Sequence, residues 1–303
     1  MIIFTLDQNG EMIQEERFTD YINNHNLKLL EEFCSIKKLE GCSINTIKGY
    51  RECIKRLSEG TGKAFDELNV NDIRAYLTNY QLMHGIKNHS MDNIRRVFSS
   101  FFNFMDEEDY ILKNPMRKIH KIKSEKTVQS PFTDKEMIIL QDNCMTIREL
   151  ALVDFLSSTG VRVSELCQLD KSDINMKERE GIVFGKGAKE RIIYFNARAE
   201  VHLERYLSLR RDDNPALFVT SNYPYNRLTK TGVEYIITRL GMRSGIEKCH
   251  PHRFRRTLAT NLIDHGVPIE QVQRILGHTK IETTLIYSQV NQENVKFNHR
   301  RFA

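Results

Sequence analysis

Residues 90–105 carry apolar side chains at Ile94, Val97, Phe98, Phe101, Phe102 and Met105. Steps of one, three and four fit a helix with one buried face and no other regular structure. Arg95 and Arg96 fall off that stripe, and Ser90 stands where a helix cap is expected. Two more segments repeat the pattern. Ser43 precedes Ile44, Ile47, Tyr50, Ile54 and Leu57, with Lys48, Arg51, Lys55 and Arg56 largely on the other face; Ile73, Tyr76, Leu77 and Tyr80 mark another helix. Core is the ordinary reading of these aromatics, and a solvated face that of the bases. Residues that break helices are correspondingly scarce. The 303 residues include 15 Gly and 6 Pro, roughly 7% against a usual share of about 12%. A mainly helical chain is expected, which argues against a solenoid and an all-β sandwich.

The length suggests two domains. Residues 1–24 read as an appendage in which Ile2, Phe4 and Leu6 alternate before Asn9-Gly10, a hairpin turn signal. Residues 25–115 form a helical domain ending at Asn114-Pro115. Residues 116–131 are a basic linker. From 113 to 126 there are six bases, Lys113, Arg117, Lys118, Lys121, Lys123 and Lys126, against the single acid Glu125. On charge alone this stretch is either a polar connection or a strap lying on phosphates. Residues 132–290 make a second domain, opened by a capping box at Thr133 and Glu136. An apolar helix follows around Leu150, Leu152, Phe155 and Leu156. Residues 181–184 and 191–195 read as two strands of a hairpin turning through Gly185-Lys186-Gly187-Ala188, with residues 217–219 as a possible third strand. The expected fold is therefore mainly α with a small antiparallel β-sheet in the C-terminal domain, followed by a tail over residues 291–303.

Charge and cysteine narrow the function. The net charge of +5 is too small to demonstrate a nucleic-acid partner by itself, so its distribution matters. Residues 1–32 hold seven acids and two bases, a poor surface for DNA. The six cysteines form no CxxC pair and no Cys/His metal spacing, and reduced thiols are expected. No apolar run approaches the ~20 residues of a membrane span, and the N-terminus lacks the basic region of a secretory signal. A cytoplasmic protein with no membrane partner is expected.

The second domain places arginines and histidines at the ends of elements, where a scaffold can aim them at one point. Arg162 lies in the first turn of the helix begun by T-G-V-R-V-S-E-L, residues 159–166. His252 and Arg255 stand at i and i+3 in H-P-H-R-F-R-R-T, residues 250–257. His278 ends a short helix in L-G-H-T, and T-T-L-I-Y brings Tyr287 nine residues later. Each residue alone has an ordinary structural explanation. Their order and local context, together with Lys186 at a hairpin tip, resemble the tyrosine recombinases, the integrase family that includes Xer-type recombinases and phage integrases. S-I-N-T-I-K-G-Y, F-F-N-F-M and Y-I-L-K-N-P in the first domain resemble that family's core-binding half, so the resemblance runs from about residue 27 to 290. One departure is visible: Arg256 occupies a position where the family often has His.

The resemblance implies the two-domain tyrosine recombinase architecture, a helical DNA-binding domain followed by a catalytic one. It implies that Tyr287 is the nucleophile on a DNA phosphodiester and that Arg162 and Arg255 clamp the non-bridging oxygens. Lys186 would protonate the departing 5′-hydroxyl. His252 and His278 would bond the phosphate and assist proton transfer, and Glu165 would position the first arginine. Double-stranded DNA is the implied partner. Lys48, Arg51, Arg95, Arg96, Arg117, Lys118, Lys121 and Lys123 are candidate DNA contacts. No cofactor and no metal site is expected, because two guanidiniums already supply the charge that a divalent ion would. Self-association on DNA, as a tetramer joined through the C-terminal tail, is a further family implication; a frayed basic tail is the alternative. A type IB-like topoisomerase and a non-catalytic DNA-binding regulator on the same fold are the competing readings.

Overall fold

A computed structural model describes the backbone of residues 4–6, 12–124, 130–185 and 190–287, with side chains from residue 22 onward. The chain divides into two compact units, Met1–Thr127 and Val128–Ala303.

The first unit opens with two short antiparallel strands, β1 (Phe4–Leu6) and β2 (Met12–Gln14), in which Phe4 faces Gln14. The Asn9-Gly10 turn signal lies outside the described residues. Helix α1 (Glu15–Leu39) follows at once, so residues 15–24 are its first turns rather than part of an appendage. The reason is visible in its packing. Ile22 and Asn26 are buried. Asn26 donates to Ser58 Oγ at 2.7 Å and to the Lys63 carbonyl at 2.9 Å, and accepts from the Phe65 N–H at 2.8 Å. A buried amide so fully bonded ties α1 to the elements after it.

Helix α2 (Ile44–Thr61) starts at Ser43, whose hydroxyl accepts from the Thr46 N–H, and stops at Gly62 in the left-handed region. Helix α3 (Val70–His84) starts with a reciprocal cap between Asn69 and Asp72. Helix α4 (Asn88–Glu107) begins two residues before the expected Ser90, with Lys87 as its cap. Its aromatic stripe is core: Phe98, Phe101 and Phe102 are fully buried, and Phe101 meets Phe33 and Phe65 edge-on at 5.4 and 4.8 Å. A short 3-10 turn over Pro115–Lys118 follows. Residues 119–124 then stay on the first unit. Arg74 donates to the Lys118 carbonyl, the Ile122 N–H to buried Asp92, and Asn88 to the Lys123 carbonyl.

In the second unit, α5 (Asp134–Asp142) carries the reciprocal Thr133–Glu136 cap. Helix α6 (Ile147–Thr159) is buried on every side from Ala151 to Leu156 and forms the centre of the unit's core. A short helix α7 (Val163–Leu166) leads to a three-stranded antiparallel sheet of β3 (Ile174–Asn175), β4 (Glu180–Phe184) and β5 (Glu190–Tyr194), ordered β3-β4-β5. Val183 and Ile193 face the core while Ile182 and Ile192, opposite each other, face outward. The third strand is thus β3 and not residues 217–219. Leu217, Phe218 and Val219 are all buried, without a strand's alternation, and form only isolated bridges at Ala216 and Val219. Helices α8 (Ala197–Ser208), α9 (Lys230–Arg243), α10 (Pro251–Asp264), α11 (Ile269–Leu276) and α12 (Ile281–Leu285) complete the unit.

All six cysteines are free thiols, and burial pushes Cys53 and Cys249 up to about 11. Among the described residues no helix is long and apolar enough to cross a membrane.

Candidate active site

Helix ends build the site. Helix α6 stops at Gly160 (φ +57°), where a Cβ would come within 2.9 Å of Leu258. The turn delivers Arg162 as the cap of α7, with its backbone N–H on Glu165 Oε2 at 2.9 Å. Pro251 opens α10 with the φ that a first helical turn needs, and the helix carries His252 and Arg255 on its first turns. Helix α11 stops at Gly277 (φ +64°), and the reversal there delivers buried His278. Helix α12 then brings back Tyr287, which is also buried.

A helix end leaves carbonyls without partners, and its dipole is negative there. At the end of α11 three consecutive carbonyls each receive a different arginine. Arg191 donates to Ile275 at 2.8 Å, Arg255 to Leu276, and Arg162 to Gly277 at 2.8 Å. Arg255 also donates to the Gly160 carbonyl at 2.7 Å. Glu165, 3% exposed, lies between two of these cations: Oε1 accepts from Arg162 at 2.7 Å and Oε2 from Arg191 at 2.7 Å. Burial pushes its carboxyl up, but the Arg162 N–H bond and the adjacent guanidiniums outweigh this and hold it below the usual range.

Burial, and after it the concentration of positive charge, sets the histidines. His278 is pushed down to about 4 by burial and then by Arg255 and Arg162. Burial and the charges of Arg255 and Arg256 lower His252 as well. Both rings are therefore neutral near pH 7 in the free protein. His278 Nδ1 bonds Thr284 Oγ1 at 2.8 Å, which leaves Nε2 to meet a substrate. Arg255 itself is pushed down to about 9 by burial and by the neighbouring Arg162 and Arg191.

Arg162, Ser164, Lys230, His252 and Arg255 line one cavity of about 270 Å³. The His278 ring stacks on Tyr287 at 5.9 Å and 26°. Arg256, the departure from the resembled pattern, places its guanidinium 5.9 Å from the Tyr287 ring, within the range of a cation–π contact. Five of the six expected catalytic residues are thus gathered around the ends of α6, α10 and α11. Lys186 lies outside the described residues, between β4 and β5. Two residues that the sequence reading did not assign belong here too. Lys230 forms part of the cavity wall, and Arg191 stands behind Glu165. Neither Arg191, on β5, nor Lys230 carried a local signal. Among the described residues no group of three His, Cys, Asp or Glu side chains could hold a metal.

In the first unit the candidate DNA contacts differ in availability. Lys48, Lys118, Lys121 and Lys123 are exposed. Arg51 pairs with Glu31 and Arg117 with Asp106. Arg95 and Arg96 both pair with Asp92, and Arg95 is thereby drawn to 15% side-chain exposure.

The site is a pocket walled by arginines, a lysine and a histidine, with His278 and Tyr287 on the adjoining elements, on a mostly helical scaffold with a small sheet. Residues 132–294 match the phage integrase family, and residues 29–111 match the N-terminal SAM-like domain of phage integrases. A tyrosine recombinase XerC of Listeria welshimeri is 30% identical over 291 residues, covering 89% of this chain and 95% of its own. A tyrosine recombinase XerC of Bacillus pumilus is 31% identical over 286 residues, covering 88% and 92%. Among solved structures, the XerA recombinase is 29% identical with a TM-score of 0.52, covering 91% of this chain and 98% of its own. The Tn1549 transposon integrase, solved in complex with a circular intermediate DNA, has a TM-score of 0.74 at 20% identity, covering 91% and 99%. The chain belongs to the phage integrase family, and within it is a tyrosine-type site-specific recombinase.

Proposed function

We propose that the enzyme cleaves and rejoins duplex DNA through a 3′-phosphotyrosyl intermediate at Tyr287. The observation that carries this reading is the cavity shared by Arg162, His252 and Arg255, with His278 and Tyr287 on the next elements. A phosphodiester is anionic and repels nucleophiles. Two guanidiniums in one pocket neutralise the charge that builds on its non-bridging oxygens. The Tyr287 oxygen attacks phosphorus, a P–O bond forms, and the P–O5′ bond breaks. The departing 5′-oxygen takes its proton from Lys186. The neutral histidines bond the phosphate and pass the phenol's proton on. The bond energy is kept in the phosphotyrosyl ester, so a 5′-hydroxyl from a partner strand can reverse the step without ATP. Because the clamp provides the charge, cleavage is expected to persist in excess EDTA.

DNA is held by both units in this reading. Lys230 extends the clamp on the scissile side. Exposed Lys48, Lys118, Lys121 and Lys123 in the first unit meet neighbouring phosphates. Arg51, Arg95, Arg96 and Arg117 contribute to the extent that DNA competes with their carboxylates. The task is integration or excision of a mobile element, or resolution of DNA, by a cytoplasmic enzyme that assembles as a tetramer on its site. The tail expected to join protomers lies outside the described residues.

The test is to sequence the DNA trapped covalently on the protein and to place two copies of the recovered site on a supercoiled plasmid. Exchanged products support a recombinase. Relaxation without exchange indicates the topoisomerase alternative, and no cleavage of any kind the regulator.

A further inference from the structure

We propose that Arg191 is a positioning residue of the active site, bracing both anchors that hold the Arg162 guanidinium in place. The inference rests on the reading of Arg162 as a clamp on the phosphate.

Arg162 has two anchors on its side chain, Glu165 Oε1 and the Gly277 carbonyl. Arg191 acts on each. Its NH2 donates to Glu165 Oε2 at 2.7 Å, which fixes the plane of the carboxylate whose other oxygen holds Arg162. Its NH1 donates to the Ile275 carbonyl at 2.8 Å, two residues before Gly277. Its aliphatic stem passes directly over Gly277, where a Cβ would lie 2.4 Å from Arg191 Cδ and 2.7 Å from Nε. The end of α11 and the Arg191 side chain are therefore fitted to each other.

Arg191 does not itself meet substrate. It is absent from the cavity wall, and its side chain is 11% exposed. Its Nε is buried with no hydrogen-bond partner among the described residues. The side chain keeps this position although one donor goes unsatisfied, which points to placement of the fork as its role. A lysine offers one ammonium instead of a fork reaching two separate acceptors. Arg191 also lies on β5, so the strand that follows Lys186 in sequence is tied to the two elements that hold Arg162.

The test is single-turnover cleavage of two nicked suicide duplexes by the full chain. One carries a normal scissile phosphodiester and the other a neutral methylphosphonate, which lacks the charge that the clamp neutralises. Arg191→Gln is expected to lose about 10- to 100-fold on the phosphodiester, the usual scale when a group supporting a functional side chain is removed. On the methylphosphonate the loss is expected to shrink to less than about 3-fold. Affinity for DNA should stay within about 2-fold on both. Arg191→Lys, which keeps the charge and stem, should fall between and serves if the glutamine variant does not fold. Arg162→Ala, measured in parallel, tests the underlying reading: it must also recover on the methylphosphonate, and if it does not, the clamp itself is wrong. With that control in order, equal losses on the two substrates, or no loss on either, would overturn the proposal for Arg191.

Discussion

Glu165 is the anion on which two of the three helix-end arginines depend, so replacing it has a calculable cost. It is 3% exposed and accepts three hydrogen bonds, at 2.9 and 2.7 Å from Arg162 and 2.7 Å from Arg191. Glu165→Ala removes the partner of Arg191, 11% exposed, and of Arg162, 37% exposed; breaking a buried pair costs about 3–5 kcal/mol, the lower end applying where solvent screens Arg162. Glu165→Gln keeps the shape and one acceptor but turns an amide donor toward a guanidinium, costing about 1.5–3 kcal/mol. For a unit of this size, 1 kcal/mol shifts the melting temperature by about 2–4 °C. The alanine variant should therefore melt roughly 6–20 °C lower. The sign with pH is fixed by linkage. The folded Glu165 carboxyl is held below its usual 4.5, so the stability it contributes is fully present above 4.5 and declines as pH falls through the folded value. Calorimetry of wild type and Glu165→Gln should show the full gap at pH 7 and a narrowing gap below pH 4.5. A gap under 1 kcal/mol at pH 7, or one that does not change with acid, would refute this account of the arginine–carboxylate–arginine cluster.

Replacing Arg117, Lys118, Lys121 and Lys123 together by Ala should weaken binding to specific and random DNA by similar factors, and should flatten the slope of log K against log salt by about 3–4. It should leave the cleavage rate of fully bound complexes nearly unchanged; normal binding to random DNA at every salt concentration would reduce this segment to a tether. Lys186→Ala should be largely rescued on a 5′-phosphorothiolate substrate, whose thiolate leaves without a proton, whereas equal defects on both substrates would move Lys186 to a binding role.

The parts of the site that the sequence makes legible are those announced by local signals. Arg162, His252, Arg255 and His278 each sit within a few residues of a glycine or a proline that fixes a helix end, so their placement follows from short-range rules; Tyr287 has no such neighbour and is legible only through T-T-L-I-Y. The aromatic stripe of α4 is legible for the same reason, since its period alone decides which face is buried. What escapes is long-range. Arg191 reaches Ile275 across 84 positions and Glu165 across 26, and nothing in an alternating strand distinguishes that arginine from a solvated one. The two-residue strand β3 is too short to show a period. Residues 217–219 mimic a strand because three consecutive buried side chains look the same in a strand and in a buried loop. Residues 15–24 read as an appendage because Asn26, which anchors α1, is a polar residue whose partners lie 32 to 39 positions away. The Asp92–Arg95 pair, by contrast, is local: three positions apart on α4, the two side chains are neighbours as soon as the helix is assigned.

The central claim is that Tyr287 becomes covalently joined to DNA. A nicked suicide substrate carrying the recovered site, labelled on the cleaved strand and incubated with the full chain, should yield a complex that survives denaturant. Proteolysis and mass spectrometry should place the 3′-phosphate on the peptide containing Tyr287. Tyr287→Phe should bind the same duplex with similar affinity and trap none of it. A denaturant-resistant adduct persisting in that variant, or a phosphate mapped to another residue in the wild type, would contradict the account.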